Sequence, residues 1–143
     1  MGNRGYLRGR LLPVFDIDAI DTHWPSIEGL LNRIVDENVG LTDIYQFISS
    51  GEWVLWLCMV PDTREITSVV VTTFIQYPKV KNLRIIFLAG NDEDWAFGIG
   101  VFEDFARNNL CHAVEVLGRK GWERTLKDSG YDLQNITLRK RIT

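Results

Sequence analysis

Two cysteines, two histidines and a scatter of charged residues are the side chains here with reactive chemistry, and their spacing limits what that chemistry can be. Cys58 stands inside an apolar run and Cys111 at a helix-to-strand junction. Neither belongs to a Cys-x-x-Cys pair or a histidine cluster, so no metal site is expected and two reduced, buried thiols are. His23 precedes Trp24-Pro25 and His112 adjoins Cys111, each without a partner at metal-ligand spacing. A general base would require a carboxylate isolated on a strand. Glu52 and Glu65 flank a hairpin and Glu115 lies beyond a crossover, so no catalytic residue is assigned. Lys120 and Arg124 could meet a phosphate, although scattered cations more commonly form a solvated helix face. Arg139, Lys140 and Arg141 make a basic cluster near the end of the chain. On an edge strand such charges discourage sheet extension, and they equally offer a contact to an acidic partner.

The elements that must position these groups follow from periodicity. Pro25 suits a first helical turn, and Ile27, Leu30, Leu31, Ile34 and Val35 recur on one helical face. A second helix is predicted from a Thr42 cap, burying Ile44, Tyr45, Phe47 and Ile48 and stopping at Gly51. Trp53 to Val60, the turn Pro61-Asp62-Thr63-Arg64, and the β-branched run Ile66 to Tyr77 form an antiparallel hairpin. Pro78 breaks the second strand, and Leu83 to Ala89 is a third, ended by Gly90. His112 to Leu117 is a fourth strand, and the helix between it and the third implies a parallel pair with a crossover helix.

That crossover helix has two readings. Asp92 or Asp94 could cap a long helix with Trp95, Ile99, Phe102, Ala106 and Leu110 on its face, at the expense of two interior glycines, Gly98 and Gly100. Alternatively it begins only near Gly100. A ten-residue helix reaches about 15 Å, short for returning along a strand of similar residue count, so the longer helix is expected. Trp122 and Leu126 then line one face of a last short helix, with Trp122 a core anchor. Ile136, Leu138 and Ile142 give the inner face of a closing strand.

The chain's 143 residues, 45% of them hydrophobic, are enough for one core, so a single domain over 1–143 is expected. A net charge of −3 gives no sign of a nucleic-acid binder. No apolar run reaches the roughly 20 residues of a membrane span, and no signal-peptide core follows the first residues, which predicts a soluble, unsecreted protein.

The predicted order of two helices, hairpin, strand, crossover helix, strand, helix and strand resembles the GNAT acyltransferase superfamily over nearly the whole chain. The implied fold is α/β with a GNAT-like mixed sheet. Gly118-Arg119-Lys120-Gly121-Trp122-Glu123-Arg124-Thr125-Leu126, followed by Gly130-Tyr131, is similar to small GNAT-like proteins of tailed bacteriophages. In GNAT enzymes a Gln/Arg-x-x-Gly-x-Gly/Ala loop opens the crossover helix and cradles the pyrophosphate of coenzyme A. At the corresponding strand exit stand Asn91-Asp92-Glu93-Asp94, whose carboxylates would oppose a polyanion. A later register, Trp95-Ala96-Phe97-Gly98-Ile99-Gly100, keeps both glycines. The tyrosine that these enzymes use as a proton donor aligns with Leu126, and their frequent asparagine aligns with Arg119.

Two functions follow from the resemblance. The first is a non-catalytic GNAT-like phage protein without a cofactor, acting in virion assembly or as a virion component. It would meet other phage structural proteins or copies of itself in the host cytoplasm or the virion, with Arg139, Lys140 and Arg141 as the contact. The second is an acetyl-CoA-dependent N-acetyltransferase binding its cofactor at Gly98 and Gly100, in a cleft between the splayed ends of the third and fourth strands.

Overall fold

The computed structural model describes residues 10–91, 98–118 and 121–143. Strand β1 (Arg10–Val14) leads into helices α1 (Ile17–Leu31) and α2 (Leu41–Ser49). Strands β2 (Trp53–Met59), β3 (Ile66–Gln76) and β4 (Lys81–Gly90) follow as a meander. Helix α3 (Ile99–Asn108) crosses to β5 (Ala113–Val116), and α4 (Gly121–Leu126) runs into a 3₁₀ turn, Lys127–Ser129. The sheet has the order β1-β2-β3-β4-β5, antiparallel except for the parallel pair β4 and β5.

Each face of the sheet carries its own apolar cluster, which is why β2 and β3 read as almost continuous hydrophobic runs. On one face Trp56, Cys58, Val70, Leu83 and Ile85 pack with Ile99, Phe102 and Ala106 of α3 and Leu126 of α4. On the other, Leu55, Leu57, Val69 and Val71 pack with Ile20, Ile27 and Leu31 of α1 and Ile44 and Ile48 of α2. The buried Trp56 indole satisfies its N–H by donating to Thr72 Oγ1 at 2.9 Å. Burying it therefore leaves no orphan donor.

Two register shifts shape the sheet. Val71 faces Phe87 while Thr72 faces Ile85, so Ile86 is an extra residue in β4, and such a bulge bends and twists its strand. At the end of β4, Gly90 has φ +114°, and a Cβ there would lie 2.2 Å from the Thr67 carbonyl oxygen. Only glycine allows that approach.

Several expected boundaries are corrected. Helix α1 starts eight residues before Pro25, because Asp16 caps it by accepting from the Ala19 N–H at 3.2 Å; Pro25 lies inside the helix. The cap of α2 is Gly40 rather than Thr42, with the Asp43 carboxylate accepting the Gly40 N–H at 2.9 Å. Phe47, expected to be buried, is 37% exposed and stacks on Trp53. Strand β1 was not anticipated. Its run Leu11-Leu12-Pro13-Val14 is short, and Pro13 argues against a strand unless it is at an edge, which is where β1 lies.

The closing strand is the largest correction. Residues 131–143 form no strand, and Ile136, Leu138 and Ile142 are 76%, 91% and 84% exposed instead of sharing a core face.

Candidate functional site: the cleft between the fourth and fifth strands

Strands β4 and β5 pair for four residues only, from Asn82 opposite Ala113 to Ile85 opposite Val116. The Leu117 N–H still donates to the Ile85 carbonyl at 2.9 Å, and there the strands part. Beyond this point β4 continues through the bulge to Gly90, while the chain after Leu117 turns through Gly118 toward α4. Among the described residues, the half of β4 from Phe87 to Ala89 has β3 on one side and no strand on the other. A sheet that opens in this way leaves main-chain donors and acceptors for a ligand lying along it.

Helix α3 packs on the face of the sheet that carries Leu83, Ile85, Val114 and Val116. It spans ten residues with Gly98 at its cap position, which corrects the expectation of a long helix beginning at Asp92 or Asp94. Residues 92–97 lie outside the described residues, so the acidic run and Trp95 do as well. The length argument fails because the returning strand has only four residues, and ten residues of helix match it. A Cβ at Gly100 would meet nothing within 4 Å, so this position faces open space. The first N–H groups of any helix have no partner within it. Gly98-Ile99-Gly100 therefore brings small residues and unsatisfied donors to the positive end of a helix dipole. Ile99 and Phe102 are buried and fix the helix on the sheet.

On the α1 and α2 face, just before the strands part, lies a polar network that sequence reasoning passed over. Glu115 of β5 sits opposite Arg84 of β4 in the parallel register. Its Oε1 accepts from Arg84 Nε at 2.7 Å, and its Oε2 accepts from Asn82 Nδ2 at 2.7 Å and from the Tyr77 hydroxyl at 2.8 Å. Arg84 also donates to the Tyr77 oxygen at 3.1 Å. Burial works against the charge on Glu115, but the bonds from Asn82, Arg84 and Tyr77 outweigh it and hold the carboxyl below its usual range. Burial likewise opposes charge on Arg84, and the Glu115 partner more than restores it. The network clamps the two strands together where the cleft begins. A signal was present in the sequence: Arg84 and Glu115 are charges with apolar residues on both sides within their strands, and such charges leave water only when paired.

The remaining positions singled out earlier are scattered. Leu126, at the place of the enzymes' proton-donating tyrosine, is 3% exposed in the core and offers no proton. Trp122 is half-buried against the same cluster, with its ring on Gly118. The Tyr131 hydroxyl donates to Glu103 at 2.8 Å; burial, then this bond, push it well above the usual phenol range. Arg119 and Lys120 lie outside the described residues. Arg139 donates to Glu37 Oε1 at 2.6 Å and to Asn38 Oδ1 at 3.2 Å, and Arg141 lies 3.4 Å from Glu37, so the basic cluster sits at the α1–α2 connection. Lys140 is exposed beside them. Cys58 is buried and Cys111 half-buried, its thiol raised by burial with a smaller opposing effect from Lys81. Among the described residues, no group of His, Cys, Asp and Glu is arranged to hold a metal ion, and no helix is long and apolar enough to cross a membrane.

Solved structures resemble this arrangement closely. A probable acetyltransferase superposes with a TM-score of 0.70 at 9% identity, covering 94% of this chain and 99% of the other. The fold is that of the GNAT acetyltransferases. A GNAT family acetyltransferase of Staphylococcus aureus gives a TM-score of 0.65 at 12% identity over 92% of this chain and 98% of that one. An aminoglycoside acetyltransferase from an uncultured soil metagenomic sample, solved with trehalose, gives 0.65 at 9% identity over 94% and 96%. No family model matches the sequence, and no curated protein matches it. The mixed five-stranded sheet, with a single parallel pair that opens beside a short crossover helix, is thus a GNAT sheet.

Proposed function

We propose that this protein is an acyl-CoA-dependent N-acyltransferase whose cofactor occupies the opening between β4 and β5. One observation carries the reading: α3 begins at Gly98-Ile99-Gly100, and Ile99 packs in the same cluster as Ile85 and Val116, the last paired residues of β4 and β5. The described residues at the start of α3 would suit coenzyme A, while Asp92, Glu93 and Asp94 lie outside the described residues. Backbone N–H groups at the start of α3 would hold the pyrophosphate, with Gly100 leaving room for close approach. The side of β4 from Phe87 to Ala89 that has no strand among the described residues would take the amides of the pantetheine arm as an added strand does. Bound there, the thioester supplies an activated acyl carbonyl. What this chain adds is orientation and exclusion of water, since Leu126 provides no acid and turnover is expected to be slow. The Arg84–Glu115 clamp keeps the lower end of the opening at fixed width.

Isothermal calorimetry with coenzyme A and acetyl-CoA tests the reading. A dissociation constant below about 100 μM, equivalent to more than about 5 kcal/mol, is expected. Absence of heat at millimolar ligand would overturn it.

A second reading has its own support. The exposed Ile136, Leu138 and Ile142 of the C-terminal run are compatible with a protein that works by association, of which virion assembly would be one case. Co-purification of the chain with phage particles at fixed stoichiometry would favour this reading, and its absence from them would count against it.

A further inference from the structure

The C-terminal run brings three cations to a single loop. Arg139, Lys140 and Arg141 line an open cavity of about 280 Å³ together with Glu37 and Asn38 of the α1–α2 connection. The facing loop is fixed from within. The Asp36 carboxylate accepts the N–H groups of Asn38 at 2.7 Å and Val39 at 3.2 Å, and the Asp36 N–H donates to the Val39 carbonyl at 3.1 Å. Asp36 is thus spent on its own turn, as such residues commonly are. Glu37 instead meets two guanidiniums at once, Arg139 at its Oε1 and Arg141 at its Oε2. These contacts hold both arginines in place beforehand, which lowers the ordering that a ligand would have to impose. Charge and donors remain. Three cationic side chains face one side-chain carboxylate, so two positive side-chain charges are unbalanced. A guanidinium carries five N–H donors, and the contacts made here use Nη2 of Arg139 and Nη1 of Arg141. Lys140 makes no ion pair among the described residues.

We propose that this cavity binds a small phosphate-bearing anion, at a site separate from any coenzyme A site and independent of the acyltransferase reading. None of its residues belongs to α3, β4 or β5. A phosphate monoester carries about −1.5 to −2 charges near neutral pH, which matches the unbalanced side-chain charge. A monocarboxylate would leave half of that charge unmet. Arginine forks match phosphate oxygens in pairs, and Lys140 adds a point charge beside them. Glu37 already shows how an oxyanion lies between the two guanidiniums, one oxygen to each. The ligand would take their outward donors, with the Asn38 side chain at the rim.

Nitrogen-15 NMR of the full chain, titrated with inorganic pyrophosphate at low salt, tests this. Saturable shifts are expected at the amides of residues 37, 38 and 139–141 and at the arginine Nε–H signals, half complete at about 1 mM or below. Added salt should weaken them. The double variant Arg139→Gln, Arg141→Gln should bind roughly ten-fold more weakly, as expected for the loss of charge-assisted hydrogen bonds. That variant also frees the segment from Glu37, so Lys140→Gln, which breaks no ion pair within the chain, gives the cleaner reading and should weaken binding about three-fold or more. Coenzyme A should leave these signals unchanged. Shifts that do not saturate by 20 mM, or that sodium chloride of equal ionic strength reproduces, overturn the proposal. So does acetate binding as tightly as pyrophosphate, or parent-like binding by both variants. Coenzyme A shifting the same signals as strongly would assign the phosphate to the cofactor and overturn a separate site. Failure of coenzyme A to shift residues 98–101 would count against the acyltransferase reading alone.

Discussion

Gly118 and Trp122 form a fitted pair: a Cβ on Gly118 would lie 2.3 Å from the indole Cδ1 and 2.8 Å from Nε1. The glycine lets the ring rest on the chain just as it leaves β5, and the ring carries α4 onto the sheet. Gly118→Ala must displace the indole and should cost about 1–3 kcal/mol in denaturant unfolding. Trp122→Ala, which removes a half-buried ring, should cost about 2–3 kcal/mol, below the 3–5 of a fully buried tryptophan. In the double variant the two costs should not add, because both remove the same contact.

Gly100 separates stability from binding. Because its Cβ position is open, Gly100→Ala should raise stability by up to about 1 kcal/mol through helix propensity. If coenzyme A approaches the backbone there, the same variant should bind it roughly ten-fold more weakly by calorimetry. A variant that is stabilised and binds as tightly as the parent would place the ligand elsewhere.

Gly90 tests the opposite case. Its φ of +114° and the 2.2 Å approach to Thr67 oxygen leave no room for a methyl group. Gly90→Ala should cost about 2–4 kcal/mol and shift the thermal midpoint down by several degrees, the strain falling where β4 leaves the sheet.

The Arg84–Glu115 clamp predicts a pH dependence. Glu115 titrates below its usual range in the folded protein, so its contribution is complete above the unfolded carboxyl's pKa and is lost as pH falls through the depressed folded value. Glu115→Gln should cost about 1–2 kcal/mol at neutral pH. The difference from the parent should shrink as the solution is acidified, followed by urea midpoints between pH 7 and pH 3. A constant difference would mean that packing, not charge, carries the effect.

Much of this architecture was legible in the sequence because its signals are local. The hairpin from Trp53, the third strand at Leu83 and the short strand around Val114 and Val116 all read from apolar runs bounded by turn residues. Helix α1 was cut short because Pro25 resembles a starting signal, whereas Asp16 supplies the actual one. The cleft was half legible. Gly98 and Gly100 were found, but the start of α3 depended on the length of β5, which no residue in the helix itself encodes. The Glu115 network was missed because it depends on parallel register, a relation between strands some thirty residues apart. The closing strand is not formed although Ile136, Leu138 and Ile142 alternate with polar residues. Alternation shows only that a segment could pair; a partner edge has to be reached as well.

Strand β1 pairs with β2 across the whole of α1 and α2, so that Val14 stands opposite Leu55, while β2, β3 and β4 follow one another by short turns. Closing a long loop costs more chain entropy than closing a turn, which sets an order of assembly. The meander can form early from neighbouring residues, and the N-terminal strand docks late, after both helices have covered their face. Substitutions in the β3–β4 hairpin should therefore slow refolding, whereas those in β1, such as Leu11→Ala, should chiefly speed unfolding and leave the refolding rate nearly unchanged. Strand β1 would then govern how long the folded protein lasts rather than how quickly it forms.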